Sequence, residues 1–169
     1  MNHFREIAYL ANIAKPDVAV IINIGTMHIE HLGSREGILQ AKLEILEGMD
    51  AEGTAIFNGD DPLLWSQRGR SDVKLRYFGE NNRGSDIRAV DVVDGENILR
   101  FTIEAGKVSF PVEMALEGRH YVSDALAAVS VGLAFGIPGD MICQALSRFQ
   151  NMEGRQEIFH ARDCKIIKD

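Results

Sequence analysis

Twice in its first half the chain takes the same step: an apolar run ends in a polar, glycine-bearing turn and passes into a helical pattern. Residues 18–24 form the first run, followed by a turn holding His28, Glu30 and His31 and a helix that Ser34 can cap. The apolar positions of that helix (Ile38, Leu39, Ala41, Ile45, Leu46) fall on one side, and Gly48 closes it. Residues 54–58 form the second run, and Gly59-Asp60-Asp61-Pro62 turns it into a short helix with Asp60 or Asp61 as cap and Pro62 at the first helical position. A short, nearly unbroken apolar run suits a strand buried on both faces of a parallel sheet. The order strand, polar turn, helix places reactive side chains at the carboxyl end of a strand, where open α/β sheets bind ligands.

The remaining elements support that edge. Residues 3–14 repeat apolar side chains at helical spacing until Pro16 stops them, and residues 73–78 read as another strand. From 86 to 112 the rhythm changes to three strand-like runs separated by Asp94-Gly95 and Ala105-Gly106, an antiparallel meander inserted in or laid beside the parallel sheet. Helices over 122–135 and 139–149 follow, then two strands over 157–161 and 165–167. The expected class is α/β: a mostly parallel sheet flanked by helices, with a small antiparallel meander.

A chain of 169 residues with 46% hydrophobic and 25% charged residues is enough for one soluble globular domain. A formal net charge of −7 without a basic stripe argues against a nucleic-acid partner. An anionic substrate would then need local positive charge or a metal. No apolar run approaches the roughly 20 residues that span a bilayer, so no membrane insertion is expected and the location is read as cytoplasmic. Cys143 and Cys164 lie far apart without metal-ligand spacing, which reads as two reduced, mostly buried thiols.

Neither a G-x-x-x-x-G-K-[ST] phosphate loop nor a G-x-G-x-x-G fingerprint occurs. His28-Ile-Glu30-His31 concentrates three potential ligands, which raises a metallohydrolase, but the spacing is wrong for H-E-x-x-H. The missing phosphate loop leaves a non-catalytic α/β binding module as a second alternative.

Several motifs stand together in one order: Asn23-Ile-Gly-Thr-Met-His28, Gly33-Ser34 with Ala41-Lys42-Leu-Glu44, Asn58-Gly-Asp60-Asp61, Gly118-x-His120 with Ala125-Leu-Ala-Ala, and Glu153-Gly-Arg155. In that order they resemble the central domain of Mur ligases, the ATP-dependent amide-forming enzymes of peptidoglycan synthesis. The opening Met1-Asn-His-Phe-Arg-Glu-Ile and the Gly33-Ser34 step are most similar to the branch that adds D-alanyl-D-alanine to UDP-MurNAc-tripeptide. Another Mur-type or a folylpolyglutamate-type ligase domain is the alternative within the same chemistry.

The resemblance implies ATP and Mg2+ as cofactors and assigns roles by motif. His28 matches a magnesium ligand, and Lys42 a lysine that in several relatives is carbamylated and then holds metal; both are the expected catalytic positions. Asn58 and Asp60 match the nucleotide-side turn. His120, Tyr121 and Asp124 stand where the family places its adenine-binding residues, although Tyr121 and Asp124 replace the usual asparagines. Arg155 matches an arginine near phosphate or ribose, and Asp169 an acid bonding ribose hydroxyls. Asn2, His3 and Ser34 match positions on the substrate side.

The resemblance further implies that residues 1–169 are part of the central domain, with the UDP-binding domain, the phosphate loop and the C-terminal domain outside them. Such a fragment is expected to be inactive by itself. A sheet lacking the phosphate-loop strand would expose an edge able to pair with another chain.

Overall fold

The computed structural model describes residues 1–150 throughout and the backbone of residues 157–161 and 164–168. Strands β1 (Val18–Ile21), β2 (Thr54–Asn58), β3 (Lys74–Gly79) and β4 (Ile87–Gly95) pair in parallel in that order. Strands β5 (Ile98–Ala105) and β6 (Val108–Met114) continue the same sheet antiparallel to β4, so the order across it is β1-β2-β3-β4-β5-β6. The meander therefore extends the parallel sheet instead of lying beside it. Its junction is short, since β3 and β4 are paired only at Phe78–Ile87 and Gly79–Arg88. Strands β7 (Glu157–Ala161) and β8 (Cys164–Lys168) form a separate antiparallel pair.

Alternation along β2 and β3 explains why the sheet is covered on both faces. Ile56 and Phe78 point into a core roofed by α5 (His120–Ala134) and α6 (Gly139–Ser147), where Val122, Leu126 and Val129 are fully enclosed. Ala55, Phe57 and Tyr77 point into a second core beneath α3 (Arg35–Leu43) and the short α4 (Pro62–Trp65). Strand period two delivers successive side chains to opposite faces, so the apolar run over 54–58 serves both cores at once. Each of Ile56, Phe57 and Phe78 is 0% exposed, as the all-apolar pattern requires. No helix among the described residues is long and apolar enough to cross a membrane.

The first helix, α1 (Glu6–Ala14), begins later than its apolar spacing suggests because Arg5 adopts a left-handed conformation and no local side chain caps the turn. Its free N–H groups are satisfied from far along the chain. The Glu44 carboxylate accepts from Arg5 N at 2.7 Å and from Ala8 N at 3.2 Å, and Glu44 is buried doing so. Glu44 opens a 3₁₀ turn, Glu44–Gly48, that packs under α1. Gly48 permits that contact, since a Cβ there would lie 2.2 Å from the Ala11 carbonyl carbon.

Two expectations are corrected. Strand β1 ends at Ile21, three residues before the apolar run does, because the backbone of Asn23 and Ile24 is taken by side chains instead of by a neighbouring strand. Cys143 is half-exposed, not buried. Its thiol donates to Pro111 O at 3.1 Å, and partial burial pushes its pKa up. Cys164 lies where only the backbone is described.

Replacing Glu44 by alanine strands the Arg5 and Ala8 N–H groups inside the fold. The expected loss is about 1–3 kcal/mol of unfolding free energy, the usual cost of unsatisfied buried donors. Urea denaturation should show the midpoint falling with an unchanged slope, and a wild-type midpoint would disprove the long-range cap.

Candidate active site

The segment leaving β1 is held by three side chains from three other elements. Asp61, at the end of β2, accepts from Ile24 N through Oδ2 at 2.7 Å. Arg35, in the first turn of α3, donates to Ile24 O from Nη2 at 2.8 Å and from Nε at 3.2 Å. Lys42, in the last turn of α3, donates from Nζ to Asn23 O at 2.7 Å. The Arg35 guanidinium also stands 3.8 Å from Asp61 Oδ2, closing a ring of charge around the Ile24 backbone. The other oxygen of Asp61 accepts from Leu63 N and Leu64 N, so Asp61, not Asp60, caps α4, with Pro62 in its first turn.

His28 follows in a left-handed conformation (φ 66°) at the start of α2 (Ile29–Leu32), a short helix within the expected turn. Side chains of Asn23, His28, Lys42 and Glu6 line a cleft of 410 Å³ whose remaining wall is apolar, including Ile7 and Ile38. Burial holds the Lys42 amine below the ordinary lysine pKa, opposed in part by the Asp61 charge. Ser34 caps α3 through Oγ, which accepts from Gly37 N at 3.1 Å, so its hydroxyl serves the helix. Asn2 and His3 are exposed beside the cleft. Asn2 N donates to Glu6 Oε2 at 2.7 Å, and the His3 ring lies 5.4 Å from that of His31.

A second group gathers where β2 and β3 end. Asn58 Oδ1 accepts from Asp60 N at 2.9 Å, while its amide lies 3.5 Å from Ser123 Oγ on α5. The Asp60 carboxylate is engaged by the loop after β3, accepting from Glu80 N at 2.7 Å, Asn81 N at 3.0 Å and Asn82 N at 2.7 Å. Successive N–H groups converging on one oxyanion make an anion nest, here filled by the chain's own side chain. Arg119 and Glu80 form an ion pair across the same region, and Gly118 N donates to Asp94 at 3.0 Å. The first turn of α5 thus sits over the end of β2, with the His120 and Tyr121 rings 4.2 Å apart and Asp124 exposed.

The fold therefore joins His28 to Lys42 in one cleft and Asn58 to His120, Tyr121 and Asp124 around one helix start. Arg155 and Asp169 lie outside the described residues. Among the described residues no set of three or more His, Cys, Asp or Glu groups is arranged to hold a metal. His28 and Lys42 are at most two ligands, and Lys42 as an amine repels a cation. Sequence reasoning missed Arg35 and the bond from Asp61 to Ile24. The only signal for either was the adjacency of two acids at a strand end.

Residues 1–132 match the Mur ligase middle domain family. The UDP-N-acetylmuramoyl-tripeptide--D-alanyl-D-alanine ligase of Bacillus subtilis (strain 168) is 38% identical over 97% of this chain and 35% of its own length. The ligase of the same name from Escherichia coli (strain K12) is 33% identical over 99% of this chain and 37% of its own. The chain thus spans about a third of the length of these curated relatives. The crystal structure of MurF from Acinetobacter baumannii superposes with a TM-score of 0.90 at 30% identity, covering 100% of this chain and 37% of that one. That of MurF ligase from Thermotoga maritima in complex with ADP gives 0.84 at 27% identity over 99% and 38%. Its sheet, its site at the strand ends and the match over residues 1–132 lead to one conclusion: this chain belongs to the Mur ligase family, through that family's middle domain.

Proposed function

We propose that these 169 residues are part of the central domain of an ATP-dependent ligase that joins D-alanyl-D-alanine to UDP-MurNAc-tripeptide. The observation that carries the reading is the pairing of His28 with a partly buried Lys42 in a cleft at the carboxyl end of β1. The names of the relatives and the ADP complex of one structural neighbour point to the same substrates and nucleotide. ATP and a UDP-linked precursor place this chemistry in the cytoplasm.

In the proposed reaction the tripeptide carboxylate attacks the γ-phosphorus of ATP, the bond to the bridging oxygen breaks, and ADP leaves. The D-alanyl-D-alanine amine then adds to the acyl phosphate, and the tetrahedral intermediate expels inorganic phosphate. Both steps crowd negative charge between oxygens, which cations must offset. Mg2+ would supply that neutralisation, held by His28 and a carbamylated Lys42 with phosphate and water oxygens completing its shell. A lowered Lys42 pKa favours this modification, because only a neutral amine adds to carbon dioxide. Asn58, His120, Tyr121 and Asp124 form the nucleotide side, with Asp60 shaping the loop beside it. Arg155 and Asp169 are assigned to phosphate and ribose by motif, and Asn2, His3 and Ser34 to the substrate side.

Three outcomes are expected. The 169 residues alone should release no ADP when given ATP, Mg2+, tripeptide substrate and D-alanyl-D-alanine; turnover would show that the middle domain suffices. With 13C-labelled bicarbonate, the chain should show a carbamate resonance that Lys42→Arg removes, and persistence of the signal would locate the carbamate elsewhere. The folded chain gives up the Lys42 proton at lower pH than the unfolded chain, so this group makes stability rise with pH between its lowered value and the ordinary lysine value.

The outer edge of β1 is unpaired among the described residues, and Tyr9, Leu10 and Ile13 of α1 are exposed. Free strand edges next to apolar surface template pairing with another chain. The 169-residue chain should accordingly self-associate in light scattering, and a monomer at high concentration would refute this.

A further inference from the structure

We infer that Asp61 and Arg35 act as a positioning pair, gripping the backbone N–H and C=O of Ile24 so that the loop carrying Asn23 and His28 faces Lys42. The inference rests on the reading of that cleft as the reaction site, and it assigns a role to two residues that need not touch substrate. Ile24 gives its N–H to the peptide it shares with Asn23 and its C=O to the peptide it shares with Gly25, and a carboxylate takes the first at 2.7 Å while a guanidinium takes the second at 2.8 Å. Hydrogen bonds to ionised groups are the strong ones, and one on each peptide flanking Ile24 restrains both planes. The residues before and after then have little freedom. Asn23 O accepts from Lys42 Nζ, and the turn from Thr26 to Ile29 holds His28 in its left-handed conformation.

The geometry separates this role from helix capping. One Asp61 oxygen caps α4 through Leu63 N and Leu64 N, whereas the other faces only Ile24 N and the Arg35 guanidinium. The Asp61 side chain is 9% exposed, so water cannot readily replace it. Arg35 makes no contribution to the α4 cap, since its bonds go to Ile24 O. Losing either partner should leave the loop backbone half-held, and displacement of His28 from Lys42 follows. Groups that orient metal ligands without binding the metal typically change affinity by about tenfold to a hundredfold.

The test uses the 169-residue chain, with Asp61→Asn and Arg35→Gln as variants and Asp61→Glu as a charge-conserving one. Arg35→Gln keeps the α4 cap, so it reports on the grip even where Asp61→Asn unfolds the chain. Amide exchange should accelerate roughly tenfold at Ile24 in Asp61→Asn, relative to Ile56 in β2, as expected for one lost charged hydrogen bond. Mg2+ added with bicarbonate, followed through the imidazole resonances of His28, should bind the wild type and lose about tenfold or more in affinity in both neutral variants. Asp61→Glu should recover part of that loss, which a general loss of stability would not predict. Wild-type Mg2+ affinity in a folded Arg35→Gln variant sinks the positioning role alone. Absence of any Mg2+ effect at His28 in the wild type sinks the metal-site reading and the positioning role with it.

Discussion

The Ile24 backbone is the point on which the site depends. Strand β1 could run on to Ile24 by composition, yet its backbone leaves the sheet after Ile21 because Lys42, Asp61 and Arg35 supply better partners for Asn23 and Ile24. Inside a fold every backbone N–H and C=O must be matched, so side chains that offer charged partners decide where a strand stops. That early stop opens space above the strand end. Ile24 itself stays 2% exposed, anchored in the core under α3, so the loop is pinned from below by apolar contact and from the sides by charge.

The sheet behind this loop is built to keep its strand ends still. β2 is hidden on both faces, with Ile56 in one core and Ala55 and Phe57 in the other, and it lies between β1 and β3. Burying both faces of a strand removes the slack that a solvent-facing side would give. The exposed face of the meander needs less. There Arg100 and Glu113 stand directly opposite at 2.7 Å, and Arg88 and Glu104 at 3.4 Å, pairs that contribute little to stability but discourage edge pairing.

Much of this was legible in the residues because the controlling interactions are local. Ser34 caps α3 three residues ahead, Pro62 opens α4, and Gly136 with φ 70° closes α5; each is a signal carried within one turn. The motifs likewise brought His28 and Lys42 to one cleft through a single strand-turn-helix step. What could not be read is what acts over distance. Glu44 capping α1 from 36 and 39 residues away leaves no trace in periodicity, and neither does Asp61 holding Ile24 across 37 residues. A carboxylate at a turn looks the same in sequence whether it binds a ligand, caps a helix or ties down a loop. Only the positions of the donors around it tell these apart.

Asp60 and Asp61 show how far that ambiguity goes. They are adjacent, follow the same strand end and have the same chemistry, but the turn between β2 and α4 sends them to different partners. Asp60 reaches toward the loop after β3 and gathers the N–H groups of Glu80, Asn81 and Asn82, fixing the ground beneath the start of α5. Asp61 reaches toward the loop after β1 and fixes Ile24, next to Asn23 and upstream of His28. One dipeptide at the end of the most enclosed strand therefore sets both halves of the site in a common frame. A shift of β2 would carry the Asn58–Asp60 turn and the His28–Lys42 cleft together, preserving the distance between them. For the phosphoryl transfer proposed above, holding that separation constant matters more than the strength of any single contact.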